Sequence, residues 1–425
     1  MTDHMALYFK SLDDGVKLCN DAAELARKKG YDPIDTVSIP LAKNMAERVE
    51  GLISVVCPQI KNSGLSQRIT EFETTYGSQD WRISFLIALE VAKEKLRQRG
   101  MILKSIREFF WQNGFLEVET PLLVKDGNLE PNLDLFKTEL KEVGGVKHNA
   151  YLVTSPEYGL KKLLAAGFPK IFQLGKCFRN SEPWGGAHNP EFTMLEWYEA
   201  GENYFGLMDR VEELFAFVIE KCGFNSHPEF ISGSPWLRLS MREAWQKYAG
   251  ADLNNFLTYD TMFALAKEKK CTVSASDAWD DLFFKIFLSE VEPQITVANQ
   301  LVFLYDYPVQ LAALSRVKKD DPRYAERFEL YIGGLELANA YSELIDWQEQ
   351  EKRFQDDVLL RQKLDKEKID YDRDLIAALK SGLPECAGIS VGVDRLIMFL
   401  TNSKDMEEIM PFTASELFKK YGLGE

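Results

Sequence analysis

Apolar side chains recur three and four positions apart along the first hundred residues, the spacing of helices that bury one face. Amphipathic stretches run through 21–30, 41–53 and 81–92, and the first ends in Arg27, two lysines and Gly30, which is a helix stop signal. Strand alternation and hairpin turns are scarce in this region. Residues 1–92 are therefore predicted to form a small, mainly helical domain rather than an oligonucleotide-binding barrel.

Beyond residue 93 the pattern becomes mixed. A helical pattern continues to about Gly114, with Ile102, Ile106, Phe109 and Phe110 on one apolar face. Strands are predicted at 115–121, 150–154, 171–174 and 191–198, helices at 202–300 and at 347–380, the latter with a solvated charged face, and a strand–glycine–helix passage at 387–400. Helices around a mostly antiparallel sheet, without regular strand–helix alternation, predict an α+β domain over 93–425.

The composition is that of a globular protein of two or three domains. The chain has 425 residues, of which 45% are apolar and 28% are charged. It carries 51 Lys and Arg against 66 Asp and Glu, and the whole net charge of −15 belongs to residues 101–425. Because phosphate backbones require clustered basic residues, this balance favours small or cationic substrates and protein partners over non-specific nucleic-acid binding.

Cysteine usage and the N-terminus indicate a cytoplasmic protein. The six cysteines are scattered and only four histidines are present, so a Cys/His zinc site is not expected. Single, widely spaced thiols are typical of a reducing compartment. We find no basic-then-apolar signal pattern and no apolar run of the ~18 residues that a membrane span needs.

Several standard sites are excluded by their spacing. The chain has no GxxxxGK[ST], GxGxxG or HExxH sequence. Residues 388–392 match the GxSxG elbow of serine hydrolases, with Ser390 as the nucleophile. Those hydrolases have their histidine after the serine, whereas the last histidine here is His227. A serine hydrolase is therefore not expected.

The most informative segment is 178–198, in which two strand-like ends flank a glycine-rich loop. Arg179 lies on the first end, and period-two alternation places Phe192, Glu196 and Tyr198 on one face of the second. Such a face can stack a base, hold a phosphate and bind an ammonium group. The alternative is an ordinary hairpin with a salt bridge, which spacing alone slightly favours.

This segment closely resembles motif 2 of the lysine-type class II aminoacyl-tRNA synthetases. Residues 115–121 resemble motif 1 and 388–395 resemble motif 3, with two further matches, 154–158 and 334–344, between them in the expected order. The likeness spans about 95–412, and 189–198, 327–329 and 335–339 are most similar to the truncated lysyl-tRNA synthetase paralogues that lysylate elongation factor P. The resemblance implies that ATP and Mg²⁺ are used to activate lysine or (R)-β-lysine, which is then transferred to a lysine side chain of elongation factor P or a similar protein. It also implies a homodimer and makes tRNA an unexpected partner.

Site residues follow from the same resemblance. Arg179 is expected to hold the α-phosphate, Arg395 the γ-phosphate and Phe192 the adenine, while Glu336 and Glu343 are the expected Mg²⁺ ligands. The remaining expected ATP contacts are Asn180, Ser181, Glu182, Asn189, Leu337 and Gly392, and the expected substrate contacts are Ser155, Pro156, Glu157, Glu196, Tyr198, Asn339, Glu343 and Ser390. Catalysis is expected to depend on Arg179, Arg395 and Glu336.

The chain departs from the family pattern at two positions. Ser181 stands where the family usually has glutamate, and Glu182 follows it, so either residue could fill the acidic role. Ser390 stands where these ligases usually have alanine and true lysyl-tRNA synthetases have glycine, so the isomer that is used stays open.

Three other functions remain to be weighed against protein modification. A tRNA ligase would need an anticodon-binding barrel before the catalytic domain, which 1–92 do not resemble. A small-molecule amide ligase would use the same adenylation chemistry, and a catalytically dead paralogue would lack Arg179, Arg395 or Glu336, which are all present. The first residues faintly resemble the N-terminus of the large subunit of archaeal D-family DNA polymerases, a likeness that carries no function.

Overall fold

The computed structural model describes residues 81–224, 236–296, 301–367 and 369–419. The predicted helices at 21–30 and 41–53 lie outside the described residues. The chain divides into two units, Met1–Glu90 and Val91–Glu425, and the second contains all the strands described here. Within the described residues, no helix is long and apolar enough to cross a membrane.

Eleven strands are described in chain order. They are β1 (Leu116–Glu117), β2 (Leu123–Val124), β3 (Lys137–Lys141), β4 (Lys147–Leu152), β5 (Lys170–Phe178), β6 (Glu191–Ala200), β7 (Leu237–Ser240), β8 (Val302–Pro308), β9 (Tyr324–Ile332), β10 (Leu335–Ser342) and β11 (Cys386–Gly392). Eight of them form a sheet in the order β1-β5-β6-β11-β10-β9-β8-β7, and β2-β4-β3 form a small second sheet. All neighbours in the large sheet are antiparallel except the edge pairs β1–β5 and β7–β8. The predicted α+β class is confirmed.

The described helices lie on both faces of this sheet. They are α1 (Trp81–Gln112), α2 (Glu157–Ala165), α3 (Tyr204–Cys222), α4 (Met241–Ala244), α5 (Tyr259–Glu268), α6 (Trp279–Ile286), α7 (Glu292–Thr296), α8 (Trp347–Lys363), α9 (Arg373–Gly382), α10 (Val393–Leu400) and α11 (Ala414–Lys419). The charged stretch predicted at 347–380 is thus two helices. Only part of the surface of this stretch is solvated, because Phe354 and Arg361 of α8 are buried.

The strand predicted at 115–121 is much shorter than expected. Only Leu116 and Glu117 pair with β5 as a strand. The Thr120 amide donates to the side-chain oxygen of Gln173 at 2.8 Å instead of to a backbone carbonyl, and Pro121 has no amide hydrogen to offer. The ladder therefore ends before the proline.

One face of the large sheet is buried beneath α1, α3 and α10. Phe110 of α1 stacks on Phe172 of β5 with ring centroids 4.7 Å apart and lies 5.0 Å from the ring of Trp197. On the opposite face, α2, α8 and α9 pack at the β5–β6 end, and α4 to α7 pack at the β7–β9 end. The middle of that face is left as a cleft.

Candidate active site

A cleft of about 360 Å³ lies over the middle of the sheet, within the size range of small-molecule sites. Most residues expected from the sequence line it: Ser155, Glu157, Arg179, Glu182, Asn189, Phe192, Glu196, Tyr198, Glu336, Leu337, Asn339, Ser390, Gly392 and Arg395. Asn180, Ser181, Pro156 and Glu343 do not line it. The fold therefore brings together side chains that lie more than two hundred residues apart.

Strand register builds the floor of the cleft. Gln173, Glu196, Ser390, Asn339 and Glu329 lie directly opposite one another across β5, β6, β11, β10 and β9. The rows on either side, which include Phe172–Trp197–Ile389–Ala340–Phe328, point into the core instead. Because side chains alternate between the faces of a strand, this polar row lies on the cleft side of the sheet, between two apolar rows that face the core. The alternation predicted along 191–198 is confirmed.

Glu196 is the most buried acid of this row. Its two carboxylate oxygens accept hydrogen bonds from the Ser155 hydroxyl at 2.7 Å and the Tyr198 hydroxyl at 2.9 Å. Burial, and next the charge of Glu157, raise the pKa of Glu196 above its ordinary value, although both hydroxyls favour the ionised form. An ammonium group that entered the cleft would stabilise this carboxylate.

A buried lysine joins the two other expected substrate acids. The Lys161 ammonium lies 2.6 Å from Glu157 and 2.7 Å from Glu343. Burial alone would lower the pKa of Lys161, but the two carboxylates outweigh it and hold the pKa above its ordinary value. Glu343 is 1% exposed and does not line the cleft. Its Oε2 contacts Lys161, whereas its buried Oε1 has no hydrogen-bond partner among the described residues.

Arg179 and Phe192 form one wall of the cleft. The Arg179 guanidinium lies 5.3 Å from the centre of the Phe192 ring, within the range of a cation–π contact. Its buried Nε–H has no hydrogen-bond partner among the described residues. A buried donor without a partner is costly, so this edge of the guanidinium is suited to an anionic ligand.

Arg395 is fixed by the loop that precedes β6 and by β10. It donates to the carbonyls of Glu336 at 2.6 Å and Ala187 at 3.3 Å. Its second terminal nitrogen lies 3.1 Å from Nε2 of His188. A guanidinium only donates, so His188 accepts through Nε2 and is neutral. Burial and then the Arg395 charge lower the pKa of His188, which agrees with this assignment.

The conformation of the glycine-rich loop places Glu182, and not Ser181, in the cleft. Ser181 is exposed, has the left-handed φ of 59° and lies outside the cleft, whereas Glu182 lines it. Asn180, before them, donates its amide to the carbonyl of Asp134 at 2.9 Å. Glu182 is therefore the residue available for an acidic role at this position.

Asn189 stabilises the loop from within. Its amide nitrogen donates to the carbonyl of Glu191 at 2.6 Å, and its side-chain oxygen accepts from the Ala414 amide at 2.9 Å. Both ends of the side chain are therefore engaged in holding the loop against the C-terminal segment.

Several lining residues were not expected from the sequence, and Glu130, His188 and Tyr341 are among the polar ones. Tyr341 lies two residues after Asn339 on β10, so period-two alternation could have identified it. His188 is within the motif 2 segment itself. Glu130 comes from the loop before β3, where its carboxylate accepts a 3.4 Å hydrogen bond from Thr154, and no sequence pattern marked it.

The expected Mg²⁺ ligands differ in their availability. Glu343 pairs with Lys161 through Oε2 and does not line the cleft, and its role as a metal ligand stays a prediction. The Glu336 carboxylate is exposed in the cleft, and no hydrogen bond or ion pair engages it within the described part of the chain. No cluster of three or more metal-ligating side chains is found among the described residues. One carboxylate fits Mg²⁺ that takes its other ligands from phosphates and water.

Comparison with known proteins identifies the family. The family model of class II tRNA synthetases of the D, K and N types matches residues 80–416. This chain belongs to that family. A second model, the N-terminal region of the DNA polymerase II large subunit DP2, matches residues 7–108.

Relatives of this synthetase family cover most of the chain. The elongation factor P–(R)-β-lysine ligase of Mannheimia succiniciproducens is 39% identical over 315 residues, which are 74% of this chain and 93% of the relative. The ligase of the same name from Vibrio cholerae is 39% identical over 325 residues, 75% and 94% of the two chains. That of Photorhabdus laumondii is 37% identical over 348 residues, 79% and 98% of the two chains.

Two glycines of β11 provide a matched test of this geometry. A Cβ at Gly388 would lie 2.1 Å from the ring of Tyr198 and 2.6 Å from Glu343, whereas the nearest atoms at Gly392 would lie at 3.6 Å. We expect Gly388→Ala to lower the free energy of unfolding by about 1–3 kcal/mol, the cost of overpacking. Gly392→Ala should change it by less than about 0.5 kcal/mol. Denaturant unfolding of both variants measures this difference, and equal stabilities would contradict the packing described here.

Proposed function

We propose that this chain is an ATP-dependent ligase that activates (R)-β-lysine or lysine as an aminoacyl-adenylate. It then transfers the aminoacyl group to a lysine side chain of elongation factor P or a similar protein. Membership of the synthetase family supports the adenylation chemistry. Relatives that match over more than nine-tenths of their length, and that are named elongation factor P ligases, support the acceptor.

The observation that carries the proposal is the separation of charge along β6. Phe192 with Arg179 lies near one end of the strand, and Glu196 and Tyr198 lie toward the other. Strands rise about 3.3 Å per residue, so roughly 20 Å separate Phe192 from Tyr198. A cleft with both guanidinium groups at one end, beside Glu336, and with Glu157 and Glu196 at the other suits a nucleotide beside an amino acid that has two ammonium groups.

Adenylation in this cleft requires positioning and charge stabilisation but no nucleophile from the protein. The substrate carboxylate attacks the α-phosphorus, and pyrophosphate leaves. Arg179 stabilises charge on the α-phosphate and Arg395 on the γ-phosphate, because a guanidinium is permanently charged and can bond two oxygens at once. Glu336 would hold Mg²⁺, which would neutralise further charge on the phosphates.

The substrate end of the cleft holds the ammonium groups. Glu157, Glu196 and Tyr198 present oxygen atoms there, and a buried ammonium without acceptors would be strongly disfavoured. The acceptor amine then attacks the acyl carbonyl, AMP leaves, and an amide is formed. We expect the reaction to occur in the cytoplasm, where an elongation factor works, with a homodimer as the working form.

The adenylation step is tested by exchange of pyrophosphate into ATP. We expect amino-acid-dependent exchange that requires Mg²⁺ and proceeds without tRNA. Arg179→Ala and Glu336→Ala should each slow it by roughly 10²–10³-fold, the usual effect of removing one charge-stabilising group. Arg373→Ala, at an exposed arginine of α9 outside the cleft, is the control and should retain activity. Full exchange in either of the first two variants would remove that residue from the mechanism.

The acceptor is tested by intact-mass analysis. Purified elongation factor P, incubated with the chain, ATP and (R)-β-lysine, should gain the mass of one β-lysyl group. Replacement of its acceptor lysine by arginine should abolish the gain, since a guanidinium is a poor nucleophile. Charging of total tRNA with labelled lysine in parallel, with elongation factor P unmodified, would favour the tRNA ligase instead.

Substrate choice is expected to depend on Ser390. This residue lies between Glu196 and Asn339 in the polar row, and its hydroxyl donates to the Asn339 carbonyl at 3.4 Å. Its Cβ fills the space that glycine would leave open for the α-ammonium of lysine. We expect a preference for the β-amino acid of about 1–3 kcal/mol, the scale of one small group in a pocket.

Exchange kinetics with both isomers test this assignment. Ser390→Gly should shift the preference toward α-lysine, whereas Ser390→Ala, which keeps the Cβ, should change it little. An unchanged ratio in Ser390→Gly would show that selectivity is determined elsewhere in the cleft.

A further inference from the structure

Lys161 is the one buried lysine among the described residues, with 2% exposure. It lies on α2, one turn after Glu157, and its ammonium contacts the carboxylates of Glu157 and Glu343 at 2.6 and 2.7 Å. Glu343 directly follows β10, so this ammonium ties α2 to the sheet. The expected substrate contacts do not include Lys161.

The two carboxylates that share Lys161 differ in access. Glu157 lines the cleft and Glu343 does not. Only one oxygen of Glu157, Oε1, accepts from Lys161, and the other has no hydrogen-bond partner within the described residues. Since Lys161 engages only Oε1, the Glu157 carboxylate lies at the wall of the cleft with its second oxygen available to a ligand.

A hydrogen-bond chain connects this cluster to Glu196. The backbone amide of Glu157 donates to the Ser155 hydroxyl at 3.0 Å, and that hydroxyl donates to Glu196 at 2.7 Å. Both acids that face the substrate end are therefore held at the start of α2. Without Lys161, two buried carboxylates would face each other with no counter-charge, which is strongly unfavourable.

We propose that Lys161 is a positioning residue for recognition of a diamino acid. Its ammonium directs Glu157 into the cleft, so that the free oxygen accepts from a substrate ammonium, and it retains Glu343 behind the wall. This inference rests on the proposed function for the class of substrate.

Three variants separate positioning from a purely structural role. Lys161→Met removes the charge and keeps most of the volume. Lys161→Met combined with Glu343→Gln removes one carboxylate as well, so that the buried charge stays balanced and the fold is retained. Lys162→Met is the matched control, because the neighbouring Lys162 is partly exposed and pairs with Asp372 at the start of α9.

Calorimetric titration of each variant with lysine, with (R)-β-lysine and with ATP measures binding without turnover. We expect the dissociation constant for the preferred amino acid to rise at least about tenfold in both Lys161 variants, the scale of one lost charged hydrogen bond. The constant for ATP should stay within about twofold, and Lys162→Met should leave both unchanged. The melting temperature of each variant is measured to show that it is folded. If Lys161→Met does not fold, the charge-balanced double variant tests the positioning role in its place.

The outcomes distinguish this inference from the proposed function. Wild-type amino-acid affinity in the double variant, or equal losses for the amino acid and ATP, would overturn the positioning role. If the double variant also fails to fold, Glu157→Gln replaces it: Lys161 keeps its partner Glu343, but the negative charge that Lys161 directs into the cleft is removed, so an unchanged amino-acid affinity would overturn the role. If binding of the diamino acid depends on Lys161 but the protein performs no exchange, only the proposed function would be contradicted.

Discussion

The cleft depends on the register of five neighbouring strands. Glu196, Ser390 and Asn339 share one row only because β6, β11 and β10 pair as they do. A slip of one residue in β11 would move Ser390 to the core face and Ile389 to the cleft, since side chains alternate between faces. The apolar rows beneath α1, α3 and α10 prevent that slip, because it would expose a buried isoleucine and bury a hydroxyl. The core and the site are therefore specified by the same pairing.

The sequence predicted local features better than pairings. The alternation along 191–198 correctly separated Glu196 and Tyr198 from Leu195 and Trp197, because period two is a property of one strand. The helix–sheet organisation beyond residue 93 followed from similar local patterns. The length of the edge strand at 116–117 was overestimated. Its pairing ends early because the Thr120 amide donates to the side chain of Gln173, on another strand, rather than to a backbone carbonyl.

Contacts between residues that are far apart in the sequence could not be predicted from local patterns. Glu343 was expected in the cleft as a substrate or metal ligand, yet it pairs with Lys161, which lies 182 positions earlier in the chain. Nothing in the composition of α2 distinguishes Lys161 from its neighbour Lys162, and the difference arises from which side of the helix faces the sheet. The loop position of Glu182 similarly depended on the left-handed backbone of Ser181, which no spacing rule indicated.

The two ends of the cleft are stabilised by different interactions. At the substrate end, acids and Lys161 are enclosed between α2 and the sheet, where an unpaired charge is strongly unfavourable, so each group fixes its partner. At the nucleotide end, the loop is held by hydrogen bonds to a later segment of the chain, including the Gly186 amide to Asp405 at 2.8 Å and the Asn189 contact with Ala414. The Gly186 contact is exposed and the Asn189 contact is buried, so the loop is held both at its turn and at its base. The fold thus fixes the amino-acid pocket by buried charge pairs and the nucleotide loop by hydrogen bonds to a segment that follows more than two hundred residues later.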